Sequence, residues 1–186
     1  MTCIGAGNLL YARFFNEPLL AKLFKNWESI RDFFQLIVKL AHRNFFTLAC
    51  LRCGSGIVAA AVYVSETRPS VHVLELARLL ASFSPRVLAS FPSQAREFLN
   101  YFKAIRGLKP RCHLLFIASA YKRRGYGSKL LKLVENCCAK SGCNWIVLDV
   151  YLRNPALHFY LKRGYKPITL VKWWGVAYVV MAKRLK

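Results

Sequence analysis

Acidic side chains are scarce in this chain. Eight Asp and Glu stand against 29 Lys and Arg over 186 residues, for a formal net charge of +21. So little acid argues against a polycationic partner and favours a polyanionic one: nucleic acid, anionic lipid or a phosphate-bearing cofactor. The imbalance is uneven, with 16 basic against 2 acidic residues from Leu108 to Lys186 (+14) and 13 against 6 before it (+7). No uninterrupted apolar run approaches the roughly 20 residues that span a bilayer, so no membrane association is expected. Nor does a basic start followed by an apolar block mark a signal peptide, because Arg13 and Glu17 interrupt the apolar N-terminus. The seven cysteines are odd in number and scattered, which points to a reduced, cytoplasmic protein. Cys50-x-x-Cys53 has no second pair to complete a metal site, and none is expected. Internal repeats and low-complexity tracts are absent. With 55% hydrophobic and 20% charged residues, the chain is expected to fold as one globular domain, 1–186, with a sizeable core.

Apolar spacing supplies the elements. Ile30, Phe33, Phe34, Ile37, Val38 and Ala41 recur at helical spacing, so 27–42 is expected as an amphipathic helix, with a shorter one before it over 17–25. The β-rich runs 45–51 and 57–64, joined by Gly54-Ser55-Gly56, predict a hairpin. Val73, Leu76, Ala77 and Leu80 form one helical stripe; Ala95, Phe98, Leu99, Phe102 and Ile105 form another, stopped by Gly107 and Pro110. This helical pair, 71–107, reads as an insertion or cover without chemistry of its own. After Pro110, strands at 113–118 and 145–151 bracket a helix at 127–138. A short helix at 155–162 follows, with Asn154 as N-cap, and β runs at 168–174 and 176–181 complete the order. The fold class is α/β (α+β): a mixed central sheet flanked by helices.

One stretch carries the most chemistry. Tyr121-Lys122-Arg123-Arg124-Gly125-Tyr126-Gly127-Ser128 lies where a strand passes through a basic glycine turn into a helix. Such a turn can hold a polyphosphate. Its glycines admit close backbone approach, and the helix start offers unpaired N–H groups and a positive dipole end. Downstream come Leu148-Asp149-Val150, then Asn154, then Phe159-Tyr160-Leu161-Lys162-Arg163-Gly164-Tyr165. Both blocks, in this order and separated by a helix and a strand, make the last 75 or so residues resemble the GNAT superfamily of acyl-CoA-dependent N-acyltransferases. Lys122 stands where that family carries Gln or Arg, and Asn154 sits one residue closer to Tyr160 than in many members.

The resemblance implies a GNAT fold, with 71–107 inserted before the cofactor strand and 113–165 as the acetyl-CoA-binding core. It implies acetyl-CoA as co-substrate, with the turn from Lys122 through Arg123, Arg124, Gly125, Tyr126 and Gly127 to Ser128 on its phosphates. Ile117, Ala118 and Asn154 would lie along the pantetheine arm. Tyr160 is the family-matched acid for the leaving thiolate. For the base, the residues offer His113, on the same strand face as Ile117; Asp149 sits in the central strand, His158 is expected to point elsewhere on its helix, and Glu28 and Asp32 share a polar helix face that could draw in a cationic amine. A water chain, or a structural role for His113, stays open. The acceptor amine stays open among small amines, a protein N-terminus and an aminoacyl group on RNA. An acceptor site poor in acid is expected to disfavour polycations. The rival expectation is a basic RNA- or ribosome-binding protein that keeps the fold without turnover. Trp173, Trp174 and Tyr178 are expected in the core or in a homodimer contact.

Overall fold

The computed structural model describes residues 5–42, 46–67 and 85–185. Helices α1 (Ala6–Phe14), α2 (Pro18–Leu23) and α3 (Trp27–His42) precede a hairpin of β1 (Thr47–Cys53) and β2 (Gly56–Ser65). Then come α4 (Pro85–Ser90), a 3-10 turn (Phe91–Gln94) and α5 (Ala95–Ile105). The remainder runs β3 (Arg111–Ser119), α6 (Tyr126–Lys140), β4 (Trp145–Tyr151), α7 (Ala156–Leu161), β5 (Lys166–Trp173) and β6 (Val176–Arg184). The stripe expected over Val73 to Leu80 lies outside the described residues. Among them, no helix is long and apolar enough to cross a membrane.

Six strands form one sheet in the order β1-β2-β3-β4-β6-β5. Only β3 and β4 run parallel, and α6 provides the crossover between them. Side chains alternate between the two sheet faces, and each face has its own cover. On one face α6 packs over Cys112, Leu114, Ile146 and Leu148, with Tyr160 and Tyr165 in the same cluster. On the other, α1 and α3 cover Ala60, Val62 and Ala118, while Tyr101 and Ile105 of α5 cover Val147, Val171 and Val180.

The pairing of β3 with β4 stops early. Register runs from Arg111↔Trp145 to Leu114↔Leu148 and no further. Beyond that point β3 stays on β2 as far as Ser119, and β4 stays on β6 as far as Tyr151. The two central strands therefore splay. A bulge coincides with the parting: Val62 faces Phe116 and Tyr63 faces Leu114, which leaves Leu115 as the extra residue.

Three local features differ from the sequence expectation. Helix α1 was not anticipated, because two glycines, Gly5 and Gly7, sit at its start. Gly7 lets α1 lie close to α3, where a Cβ would come within 2.9 Å of Gln35 Oε1 and oblige that side chain to shift. On α5 the buried face holds Tyr101 and Ile105, whereas Leu99 and Phe102 are 70% and 56% exposed. The buried stripe is thus rotated from the one read by hydrophobicity alone. Cys112 lies inside β3 rather than before it, with its Sγ 3.3 Å from that of Cys143.

Candidate active site

The splay opens a cavity of about 710 Å³. It is bounded by Leu114 to Ile117 of β3, Leu148 to Tyr151 of β4, Ala156 and Tyr160 of α7, the α1–α2 corner, α5 and the β5–β6 turn. Residues from both sheet faces reach it. Tyr160 arrives from the α6–α7 face, whereas His113 and Asp149, odd-numbered neighbours of Leu114 and Leu148, arrive from the α5 face.

Tyr160 is 6% exposed and stacks edge-on against Phe159 and Tyr165, with ring centroids 5.2 and 5.4 Å away. Burial pushes its phenol well above the ordinary tyrosine range, so it keeps its proton. Asn154 lines the same cavity, with its Oδ1 accepting from Ala156 N–H at 2.9 Å. Ile117 lines it as well, while Ala118 is buried on the opposite side against the α1–α3 cluster.

Around His113 the polar groups form a chain. Tyr101 Oη lies 2.9 Å from Nδ1, and Asp149 Oδ1 lies 3.8 Å from Nε2, too far for a hydrogen bond. Trp173 Nε1 donates to Asp149 Oδ2 at 3.3 Å. Burial lowers the imidazole pKa from its ordinary value, and the Asp149 charge offsets part of that drop. Burial raises the Asp149 carboxyl, with His113 and the Trp173 bond pulling the other way. The histidine is therefore neutral near pH 7, with a carboxylate poised to stabilise its charged form.

At the open end of β3 the chain turns into α6. Gly125 is the N-cap, at φ +77, with no side-chain cap. The first bond of the helix is Lys129 N–H to Gly125 O, so the N–H groups of Tyr126, Gly127 and Ser128 precede the ladder. Space around them is open. A Cβ on Gly125 would meet nothing within 4 Å, and one on Gly127 only the Phe159 ring at 3.8 Å. Lys122, Arg123 and Arg124 are exposed on the turn, and Arg123 itself adopts φ +59. An uncapped positive helix end, two glycines and three cations make an anion cradle. No side chain of Lys122 to Ser128 lines the cavity, so the cradle sits outside its wall.

Comparison with known proteins bears on this layout. Residues 96–167 match the model of the acetyltransferase (GNAT) domain. Over that stretch the chain is similar to GNAT acetyltransferases. The whole chain overlays a GNAT-family protein of Desulfovibrio desulfuricans at 13% identity and a TM-score of 0.61, covering 100% of this chain and 96% of that one. It overlays histone acetyltransferase HPA2 and related acetyltransferase from Corynebacterium glutamicum at 17% and 0.62, covering 97% and 90%. A PaiA N-acetyltransferase from Thermoplasma acidophilum, solved with coenzyme A, matches at 14% and 0.51, covering 98% and 88%. At such identities the likeness is one of fold. No curated protein matches the sequence. The GNAT match begins one residue into α5, so α5 falls within the matched domain.

Several residues of the candidate site escaped the sequence reading. Tyr101 was hidden among the apolar residues of α5. Glu17 caps α2, its Oε2 accepting from Leu19 and Leu20 N–H at 3.0 Å each, and the same side chain lines the cavity. The Glu-Pro pair signals the cap, but nothing local signals the cavity. Arg163 touches Ser128 Oγ, and its guanidinium lies 3.6 Å from the centre of the Phe159 ring. It therefore sets a fourth cation beside the cradle. Trp173, Trp174 and Tyr178 line the cavity as well as the core. Glu28 and Asp32 are exposed and lie away from it.

Proposed function

We propose that this protein is an N-acetyltransferase that passes an acetyl group from acetyl-CoA to a primary amine by direct attack, with both substrates bound. One observation carries the reading: an open, uncapped helix corner at Gly125 stands beside a cavity that begins where β3 and β4 part. The N–H groups of Arg123 to Ser128 would receive the pyrophosphate of coenzyme A, and Lys122, Arg123, Arg124 and Arg163 would add charge. The pantetheine arm would lie along the edge of β3 that β4 leaves free, near Ile117 and Ala118, as an added strand. Asn154 and the small Ala156 border its path.

Chemistry then divides between the sheet faces. His113, neutral and unburdened by a cationic neighbour within bonding distance, would take a proton from the amine as its nitrogen attacks the thioester carbon. Asp149 would stabilise the imidazolium, and Tyr101 would hold the ring's orientation. As the C–S bond breaks, Tyr160 would give its proton to the departing thiolate. Among the described residues no Cys or Ser lines the cavity, which supports direct attack over a covalent acyl-enzyme.

The test is calorimetric titration of acetyl-CoA into the wild type and Gly125→Trp, with circular dichroism to verify folding. Clear binding by the first and its loss in the second is the expected result. Equal binding by both would remove the loop from the site. Binding that collapses steeply with salt would favour a phosphate-gripping surface over a pocket.

A further inference from the structure

The acid that the sequence lacks collects in the cavity. Seven of the eight acidic residues fall among those described, and three of them, Glu17, Glu66 and Asp149, line it. Of the Lys and Arg residues among those described, only Arg111 does. Arg111 is already neutralised: its Nη2 lies 2.6 Å from Glu66 Oε1, and its Nη1 donates to Ile105 O at 2.8 Å. Setting that pair aside leaves, among the described residues, two carboxyl groups and no Lys or Arg in the wall of a molecule that carries +21.

These two carboxylates are held in place. Glu17 Oε2 takes two backbone N–H bonds and Asp149 Oδ2 the Trp173 indole, while Glu17 Oε1 and Asp149 Oδ1 are buried with no hydrogen-bond partner. A buried carboxylate oxygen without a partner is costly, and a cationic guest relieves that cost. Between and around them the wall is apolar and rich in rings, with Phe14 and Phe33 on one side and Phe98 and Phe102 on the other.

We infer that the acceptor is a small cationic amine with an apolar, ring-sized body and no carboxylate of its own. This deepens the acetyl-transfer reading and, for the fate of the bound amine, rests on it. The walls take the body, and the unpartnered oxygens of Glu17 and Asp149 receive the ammonium, whose charge favours the ionised form that burial alone disfavours in both. An amino acid would bring a third unneutralised carboxylate into a wall whose one guanidinium is occupied. An acceptor carried on RNA would bring phosphates to the same field. Both arrangements place like charges together and are disfavoured.

The test compares 2-phenylethylamine with phenylalanine, which differs from it by one carboxylate, and with a phenylalanyl peptide amide. Direct binding is read by ligand-observed NMR with coenzyme A present, and transfer by thiol release from acetyl-CoA. The expected result is at least a tenfold preference for 2-phenylethylamine over phenylalanine in both readouts. Glu17→Gln and Asp149→Asn should each narrow that preference, with acetyl-CoA binding showing that the variants remain folded. Equal use of phenylalanine, better use of the peptide, or a preference untouched by both variants would overturn the inference. Amine binding without thiol release leaves it standing and sinks acetyl transfer instead. Thiol release to some other amine, with 2-phenylethylamine neither bound nor used, sinks the inference alone. Absence of both binding and release sinks both.

Discussion

Replacing Tyr160 with Phe isolates one proton. Its ring packs against Phe159 and Tyr165, and Phe would keep both contacts. Its hydroxyl has no hydrogen-bond partner among the described residues, so the folded state loses little. A stability change under about 1 kcal/mol follows, because deleting a hydroxyl that pairs with nothing strands no partner. For a chain of this size that is a melting shift within about 4 °C. The catalytic loss should be far larger. A positioned general acid contributes roughly 10²- to 10⁴-fold, which at about 1.36 kcal/mol per decade is some 3–5 kcal/mol. Burial holds the Tyr160 proton above the working range, so no alkaline limb in the rate should trace to it. The assay pairs thiol release at saturating amine with calorimetric acetyl-CoA affinity. A variant with unchanged kcat, or one whose whole defect is weaker acetyl-CoA binding, would refute the acid role.

Other predictions concern the rest of the site and one support beneath it. His113→Gln should lower kcat by on the order of 10²-fold. In the wild type the acid limb of the pH profile should fall below pH 6.5, because burial depresses the imidazole and activity needs its neutral form. Asp149→Asn should move that limb to still lower pH, since the carboxylate is what pulls the imidazole pKa upward; an upward shift would contradict the pairing. Arg163→Ala should weaken acetyl-CoA about tenfold by calorimetry, the loss of one charge-assisted contact of about 1.5 kcal/mol. Arg163→Lys should restore only part of this, as it keeps charge without the planar fork. Glu135 is buried on α6, accepting from Lys183 Nζ at 2.9 Å on both oxygens and from Tyr165 Oη at 3.1 Å. Glu135→Ala should therefore cost about 3–5 kcal/mol in thermal or urea unfolding, the range for breaking a buried pair. An unshifted midpoint would show that the pair adds nothing.

Elements with one dominant signal were legible in the sequence. Strand β4 matches its apolar run, Trp145–Tyr151, residue for residue, because a central strand buried on both faces tolerates almost nothing else. Helix α3 matches for the opposite reason, a strongly two-sided pattern. The turn at Gly125 was legible because its positive φ favours glycine. What could not be read was set by tertiary register. No residue type marks Leu114 and Leu148 as the last pair, since the parting depends on how far β2 and β6 hold their neighbours. Glu17 and Tyr101 stand 96 and 12 residues from His113 in sequence and enter the site only through packing of α2 and α5. Their local roles, a helix cap and a buried helical ring, fully explain them without a cavity.

The splay also bears on why the proposed acid, Tyr160, and the proposed base, His113, lie on opposite faces. In a closed parallel pair, neighbouring residues of one strand point to opposite sides, and the sheet itself separates them. Leu114 and His113 obey that rule, as do Leu148 and Asp149. Tyr160 packs with the even-numbered residues and Tyr101 with the odd-numbered ones. While the strands are paired, a proton on one face cannot serve a bond on the other. Where they part, the sheet opens, and a thioester lying in the gap would be reachable from both sides at once. An amine entering from the α5 face would meet His113, and a sulfur leaving toward the α7 face would meet Tyr160. The two proton transfers then need no shared residue and no turnaround of the acyl group, which is the geometry direct attack requires. The bulge at Leu115 lies at this gap, so filling it or shifting its register should disturb both transfers together.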